Sequence, residues 1–125
     1  MADSGWIAII DDDLSVLVAL TRALRIQGLR SKTYASAKEF LSETDDPPLC
    51  LIVDLQMPGM TGLELLQHLK RTGKFIPAIV VTAHGAATAR HDCEAAGAVA
   101  FLTKPWRNSN LLAAIDDATG IRPKI

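Results

Sequence analysis

The sequence predicts an α/β fold in which a parallel sheet is covered by helices on both faces. Three observations carry that expectation. Short apolar runs alternate five times with stretches of helical apolar spacing, the pattern of successive βα units. The 125 residues suit one domain with one core, and the connections are too short to hold a second domain. Four of the apolar runs end in side chains that carry chemistry: Asp11 with Asp12, Asp54, Thr82 and Lys104. Open α/β sheets place their functional groups at the carboxyl ends of strands.

Taken in order, residues 6–10 form a short apolar strand. Helical spacing runs over 14–27 through Leu17, Leu20 and Leu24, with Asp13 or Ser15 to cap the start and Gly28 to stop it. Residues 30–34 form a second, more polar strand, as expected at a sheet edge. Ser36 caps a short helix over 37–43, and the turn-rich Thr44-Asp45-Asp46-Pro47-Pro48 follows. Residues 49–53 are apolar throughout and belong in the centre of the sheet. A helix over 61–70 turns Leu65, Leu66 and Leu69 inward and Glu64, Gln67, Lys70 and Arg71 outward. Pro77 leads into a strand over 78–81. An alanine-rich helix over 86–96 stops at Gly97, and residues 98–102 form the fifth strand. The last helix, over 106–118, packs through Leu111, Leu112 and Ile115. Residues 1–125 read as one unit, with 120–125 as a tail or the start of a linker. Five such units fit a flavodoxin-like doubly wound (βα)5 sheet with strand order 2-1-3-4-5. In that order the first and third strands are neighbours, so Asp11, Asp12 and Asp54 converge.

Composition narrows the function classes. The formal net charge is −1 and the basic residues are scattered, which argues against direct nucleic-acid binding by this unit. Cys50 and Cys93 lack a metal-ligand spacing and read as small buried thiols in a reducing compartment. The first residues lack a signal-peptide pattern, and no apolar run approaches the ~20 residues of a membrane span. A cytoplasmic location without membrane contact is therefore expected.

Asp54 is the most informative residue. It closes the run Leu49-Cys50-Leu51-Ile52-Val53 and opens the loop Leu55-Gln56-Met57-Pro58-Gly59-Met60-Thr61-Gly62. Taken singly, the acids of 11–13 would serve as a helix cap, Asp54 as a solvated strand end, Thr82 as a turn residue and Lys104 as a surface lysine. All of them at successive strand ends of one chain call for a joint explanation. Carboxylates brought together repel one another, and a hard cation such as Mg²⁺ removes that conflict through oxygen ligands. Lys104 supplies a mobile positive charge for Asp54 or a phosphoryl oxygen, and Thr82 supplies a hydroxyl donor.

These pieces resemble a receiver domain of the bacterial two-component response regulators. The likeness rests on Ile9-Ile10-Asp11-Asp12-Asp13, on the strand and loop around Asp54, on Val80-Val81-Thr82-Ala83-His84-Gly85, and on Gly97 through Phe101-Leu102-Thr103-Lys104-Pro105. The Asp54 loop and the Thr82-Ala83-His84-Gly85 segment are most similar to receivers of the nitrogen-fixation LuxR-type regulators. The resemblance implies that Asp54 is the phosphoacceptor. Asp12 would ligate Mg²⁺ (or Mn²⁺) directly, Asp11 mainly through a bound water, and Asp54 and the Gln56 backbone carbonyl would complete the protein ligands. Lys104 would contact the phosphoryl group, Thr82 and Phe101 would form the switch pair, and Lys104-Pro105 would be a cis peptide. Phe101 has no hydroxyl, so a signal read through a tyrosine hydroxyl is absent here. Trp106 stands where phenylalanine is common, and His84 and Gln56 flank the site.

The expected function is a signalling switch rather than an enzyme, although the domain would promote its own phosphotransfer and autodephosphorylation. Its partners would be a sensor histidine kinase or histidine phosphotransfer protein, with homodimerisation through the face of the fourth helix, fifth strand and fifth helix. The alternative is a small phosphohydrolase of the haloacid-dehalogenase type, whose nucleophile follows the first strand, where this chain has Asp11-Asp12-Asp13-Leu14-Ser15. A flavin- or nucleotide-binding domain would want a Gly-rich or Ser/Thr-rich phosphate loop in place of that acidic triplet.

Overall fold

The computed structural model describes residues 5–43, 46–83 and 87–120. Its elements alternate throughout: β1 (Ile7–Ile10), α1 (Leu14–Ile26), β2 (Ser31–Tyr34), α2 (Ala37–Leu41), β3 (Cys50–Val53), α3 (Gly62–Arg71), β4 (Ala78–Thr82), α4 (Ala87–Ala95), β5 (Ala98–Thr103) and α5 (Asn108–Thr119). All strand pairs are parallel and the order is β2-β1-β3-β4-β5, as the alternation predicts. The polar strand β2 is an edge, and the wholly buried β3 is central.

Alternate strand residues feed two cores, one on each face of the sheet. Ala8, Ile10, Leu51, Val53, Ala78 and Val80 pack with Phe40 of α2, Leu65, Leu66 and Leu69 of α3, and Cys93 of α4. Ile7, Ile9, Ile52, Ile79 and Val81 pack instead with Leu17, Leu20 and Leu24 of α1 and Leu111 and Ile115 of α5. The aromatic share of the chain is small, yet Trp6, Tyr34 and Phe40 are all buried, and Tyr34 meets Phe40 edge-on at 5.4 Å. Among the described residues, no helix is long and apolar enough to cross a membrane. Both cysteines are free and buried, and burial pushes the Cys50 thiol up to about 12, which leaves it inert as a nucleophile.

Local caps place the helix starts. Asp13 accepts from the Ser15 amide, Ser36 accepts from the Glu39 amide, and Thr61 forms a reciprocal capping box with Glu64. Two boundaries differ by two residues from the sequence-based expectation, the others by one at most. The short second helix ends at Leu41, where Ser42 takes the cap and returns its hydroxyl to the Glu39 carbonyl at 2.7 Å. The last helix begins at Asn108, not at residue 106, because Trp106 is drawn against the α1/α5 core and Arg107 is extended (φ −92, ψ 140). The Lys104–Pro105 peptide is cis. The ladder between β4 and β5 also carries a bulge that periodicity does not reveal. Ala78 pairs with Ala98 and Ile79 with Ala100, so Val99 is an extra residue, 48% exposed. The bulge resets the alternation: Phe101 faces the α4 side, while Ala100 and Leu102 face α5.

Candidate functional site

Register brings the acids together. Ile10 pairs with Val53, so the next residues, Asp11 and Asp54, leave the sheet side by side. The Asp54 amide donates to the Ile10 carbonyl at 3.1 Å, and the Asp11 amide donates to the Tyr34 carbonyl at 3.1 Å. Asp11 is 2% exposed and Asp54 7%, whereas Asp12 stands in solvent. One carboxylate oxygen from each of Asp11, Asp12 and Asp54 lies within 4.8 Å of the others. This donor set is all oxygen and anionic, one edge of it is open, and it fits a hard divalent cation that keeps several waters.

Lys104 arrives from the other side of the sheet. Thr82 pairs with Thr103, and the Lys104 amide donates to the Thr82 carbonyl at 2.8 Å, which fixes where the lysine leaves β5. Its ammonium donates to Asp11 Oδ2 at 2.9 Å and to Asp54 Oδ2 at 3.0 Å. The second oxygen of each carboxylate is held by backbone two residues ahead: Asp13 N–H to Asp11 Oδ1 at 2.9 Å, and Gln56 N–H to Asp54 Oδ1 at 3.1 Å. Burial raises the Asp11 carboxyl above its ordinary range, and the neighbouring Asp54 charge adds to that, while the Asp13 N–H and Lys104 pull it back. Burial works against the Lys104 ammonium, but its bonds to Asp11 and Asp54 outweigh that and raise its pKa. The lysine thus offsets the cost of two crowded, largely buried carboxylates.

The other residues singled out by sequence fall as follows. Asp13 turns away from the cluster and accepts from the Ser15 amide at 2.9 Å and its hydroxyl at 2.7 Å, bonds that lower its pKa. Thr82 is buried at the end of β4, beside the strand that carries Asp54. Phe101 is half-buried, with the Arg90 guanidinium 5.7 Å from its ring centre. Gln56 is exposed next to the cluster, and His84 lies outside the described residues.

Two features were not read from the sequence. The Lys104 contact with Asp11 spans 93 residues and had no local signal. Gly62 opens α3 pressed against the Asp54 backbone, where an added Cβ would run into the Asp54 carbonyl oxygen. Its place after Thr61 in the loop is the signal that could have marked it as a close-approach glycine.

The sequence matches the family described as response regulator receiver domain over residues 7–116. It is 40% identical over 119 residues to the response regulator protein TmoT of Ectopseudomonas mendocina, covering 94% of this chain and 54% of that protein. It is 35% identical over 123 residues to the transcriptional regulatory protein FixJ of Azorhizobium caulinodans, covering 96% of this chain and 57% of that protein. The chain therefore spans about half the length of these curated relatives. The crystal structure of FixJ-N superposes with a TM-score of 0.86 at 33% identity, covering 98% of each chain.

Proposed function

The chain belongs to the response regulator receiver domain family, and from that premise we propose that it is a phosphorylation-driven switch whose phosphoacceptor is Asp54. One observation carries this reading: Asp54 is a buried carboxylate with one oxygen held by the Gln56 amide and the other by Lys104, beside two further acids. A phosphohistidine on a sensor histidine kinase or phosphotransfer protein is the proposed donor. An Asp54 oxygen forms the new P–O bond as the P–N bond breaks, and the histidine leaves with the bonding pair. Water later cleaves that P–O bond and returns the carboxylate and phosphate. A bound Mg²⁺ or Mn²⁺ would neutralise charge on the transferring group. Asp11, Asp12, Asp54 and the Gln56 carbonyl are its proposed ligands.

Lys104 is already bonded to Asp54 and is positioned to pair with an added phosphoryl oxygen without a large movement. Thr82 is proposed to turn its hydroxyl toward that group, and Phe101 to occupy the space this vacates. The two packings differ in the α4-β5-α5 face, and phosphorylation biases them by its different contacts with each. That face is the proposed route to homodimerisation and output, and the narrower likeness to nitrogen-fixation LuxR-type receivers belongs to the same proposal. Residues 1–125 are taken as one receiver unit without nucleic-acid contacts of its own. The family assignment displaces the haloacid-dehalogenase alternative, whose nucleophile would follow β1.

The test is incubation with acetyl phosphate and Mg²⁺, read by intact mass. One acid-stable, base-labile phosphoryl group is expected on the wild type, none on Asp54→Asn, and none once Mg²⁺ is chelated. Label retained by Asp54→Asn would sink the assignment.

A further inference from the structure

Strand alternation puts Thr82 and Phe101 on one face of the sheet. Phe101 pairs with Val80 across the β4–β5 ladder, and both pack on the side that α4 covers. Thr82 stands two residues beyond Val80 and ends the same row. Phe101 is only half-buried there, and α4 covers it with a charged residue: the Arg90 guanidinium lies 5.7 Å from the centre of its ring, within reach of a cation–π contact. The same guanidinium meets Glu94 on its own helix at 3.6 Å. Cys93 is the buried side chain of α4 among the described residues, so the helix has few other grips on the sheet. We propose that Arg90 is a positioning residue of the switch: it holds the Phe101 ring in its present place, ties α4 to β5 through that ring, and thereby opposes the phosphorylated packing. This rests on Asp54 as the phosphoacceptor and on Thr82 and Phe101 as the switch pair.

A ring that follows the Thr82 hydroxyl inward leaves the guanidinium behind, and Arg90 keeps Glu94 as its partner. The ring contact thus belongs to one packing and not to the other, and that difference lets it weight their balance. Phe101 has no hydroxyl to bond across to α4, so the face of its ring is what it offers a cation. At an exposed position such a contact changes an equilibrium by about two- to fivefold. By linkage, the same factor enters the affinity for any ligand that favours the second packing.

The test titrates beryllofluoride with Mg²⁺, a phosphoryl mimic that bonds to a carboxylate oxygen, into the full chain and reads binding by calorimetry. Arg90→Met keeps a long stem, loses the cation and should bind about two- to fivefold more tightly than the wild type. Arg90→Lys keeps the charge and should stay within about twofold of the wild type. In a Phe101→Leu background Arg90→Met should change nothing, because the ring is already gone. Glu94→Gln should leave the affinity near that of the wild type. The sign is decisive, since plain attraction between a cation and the anionic mimic predicts weaker binding for Arg90→Met. Weaker or unchanged binding overturns the proposal, as does an effect that survives Phe101→Leu or one that Glu94→Gln reproduces. A wild type that does not bind the mimic, or an Asp54→Asn variant that binds it equally well, overturns the Asp54 reading and this proposal with it.

Discussion

Helices α3 and α4 lie beside each other on one face of the sheet and are held in opposite ways. α3 is anchored along its length. Three leucines, Leu65, Leu66 and Leu69, are buried in the core beneath it. Its first turn is closed by bonds from the Glu64 amide to Thr61 at 3.2 Å and from the Thr61 amide to Glu64 at 2.9 Å. Glu64 at the start and Lys70 and Arg71 at the end complement the helix dipole. In α4, by contrast, the large residues are polar, and Cys93 is the buried side chain among the described residues. Its carboxyl end is tied from outside, by the Lys70 ammonium on the Ala95 carbonyl at 2.7 Å. The helix that follows the Asp54 loop is bolted down, and the helix that follows Thr82 is light. Among the described residues fewer buried side chains therefore hold α4 than α3, so a shift of α4 gives up less packing.

Core truncation offers the largest contrast. Leu65→Ala should cost about 2–5 kcal/mol in urea unfolding, and Cys93→Ala about 1 kcal/mol, since it removes one sulfur atom from a smaller contact. Equal losses would erase the difference between the two helices. Next comes Gly62→Ala. A methyl group there must displace the Asp54 backbone or the start of α3, at roughly 1–3 kcal/mol, and should also slow phosphorylation by acetyl phosphate. An unchanged phosphorylation rate would mean that α3 does not position Asp54, the proposed phosphoacceptor.

Thr82→Ala sharpens the contrast from the functional side. The variant should still accept a phosphoryl group, but hydrogen exchange along α4 should lose its dependence on phosphodonor, while α3 stays protected in both proteins. If α4 responds alike with and without the hydroxyl, Thr82 is not the coupling element. The smallest effect belongs to Lys70→Met, which removes one exposed bond and should cost less than about 1 kcal/mol. Its signature is local: faster exchange of amides near Ala95 with no change in α3. Faster exchange in both helices would show that they move as one body.

Much of this was legible in the sequence because it depends on local chemistry. The leucine spacing of α1 and α3, the Ser36 and Thr61 caps, the glycine stop with positive φ at Gly97 and the apolar run of β3 are read from neighbours in the chain. So is the placing of Asp11, Asp54, Thr82 and Lys104 at strand ends. The start of α5 differs from the sequence-based one for a tertiary reason: Trp106 packs against the α1/α5 core instead of continuing the helix. His84 falls outside the described residues, so its part in the site rests on sequence alone.

By itself, then, the sequence determined the alternation of elements, their faces and which polar side chains end the strands, because period, capping and motif are properties of adjacent residues. Tertiary structure alone decided which carboxylates Lys104 bridges, how closely Gly62 packs on Asp54 and where Val99 breaks the ladder. Each of these depends on the register and spacing of segments far apart in the chain. A difference of an ångström there decides whether groups bond, clash or leave a gap, and no local pattern records it.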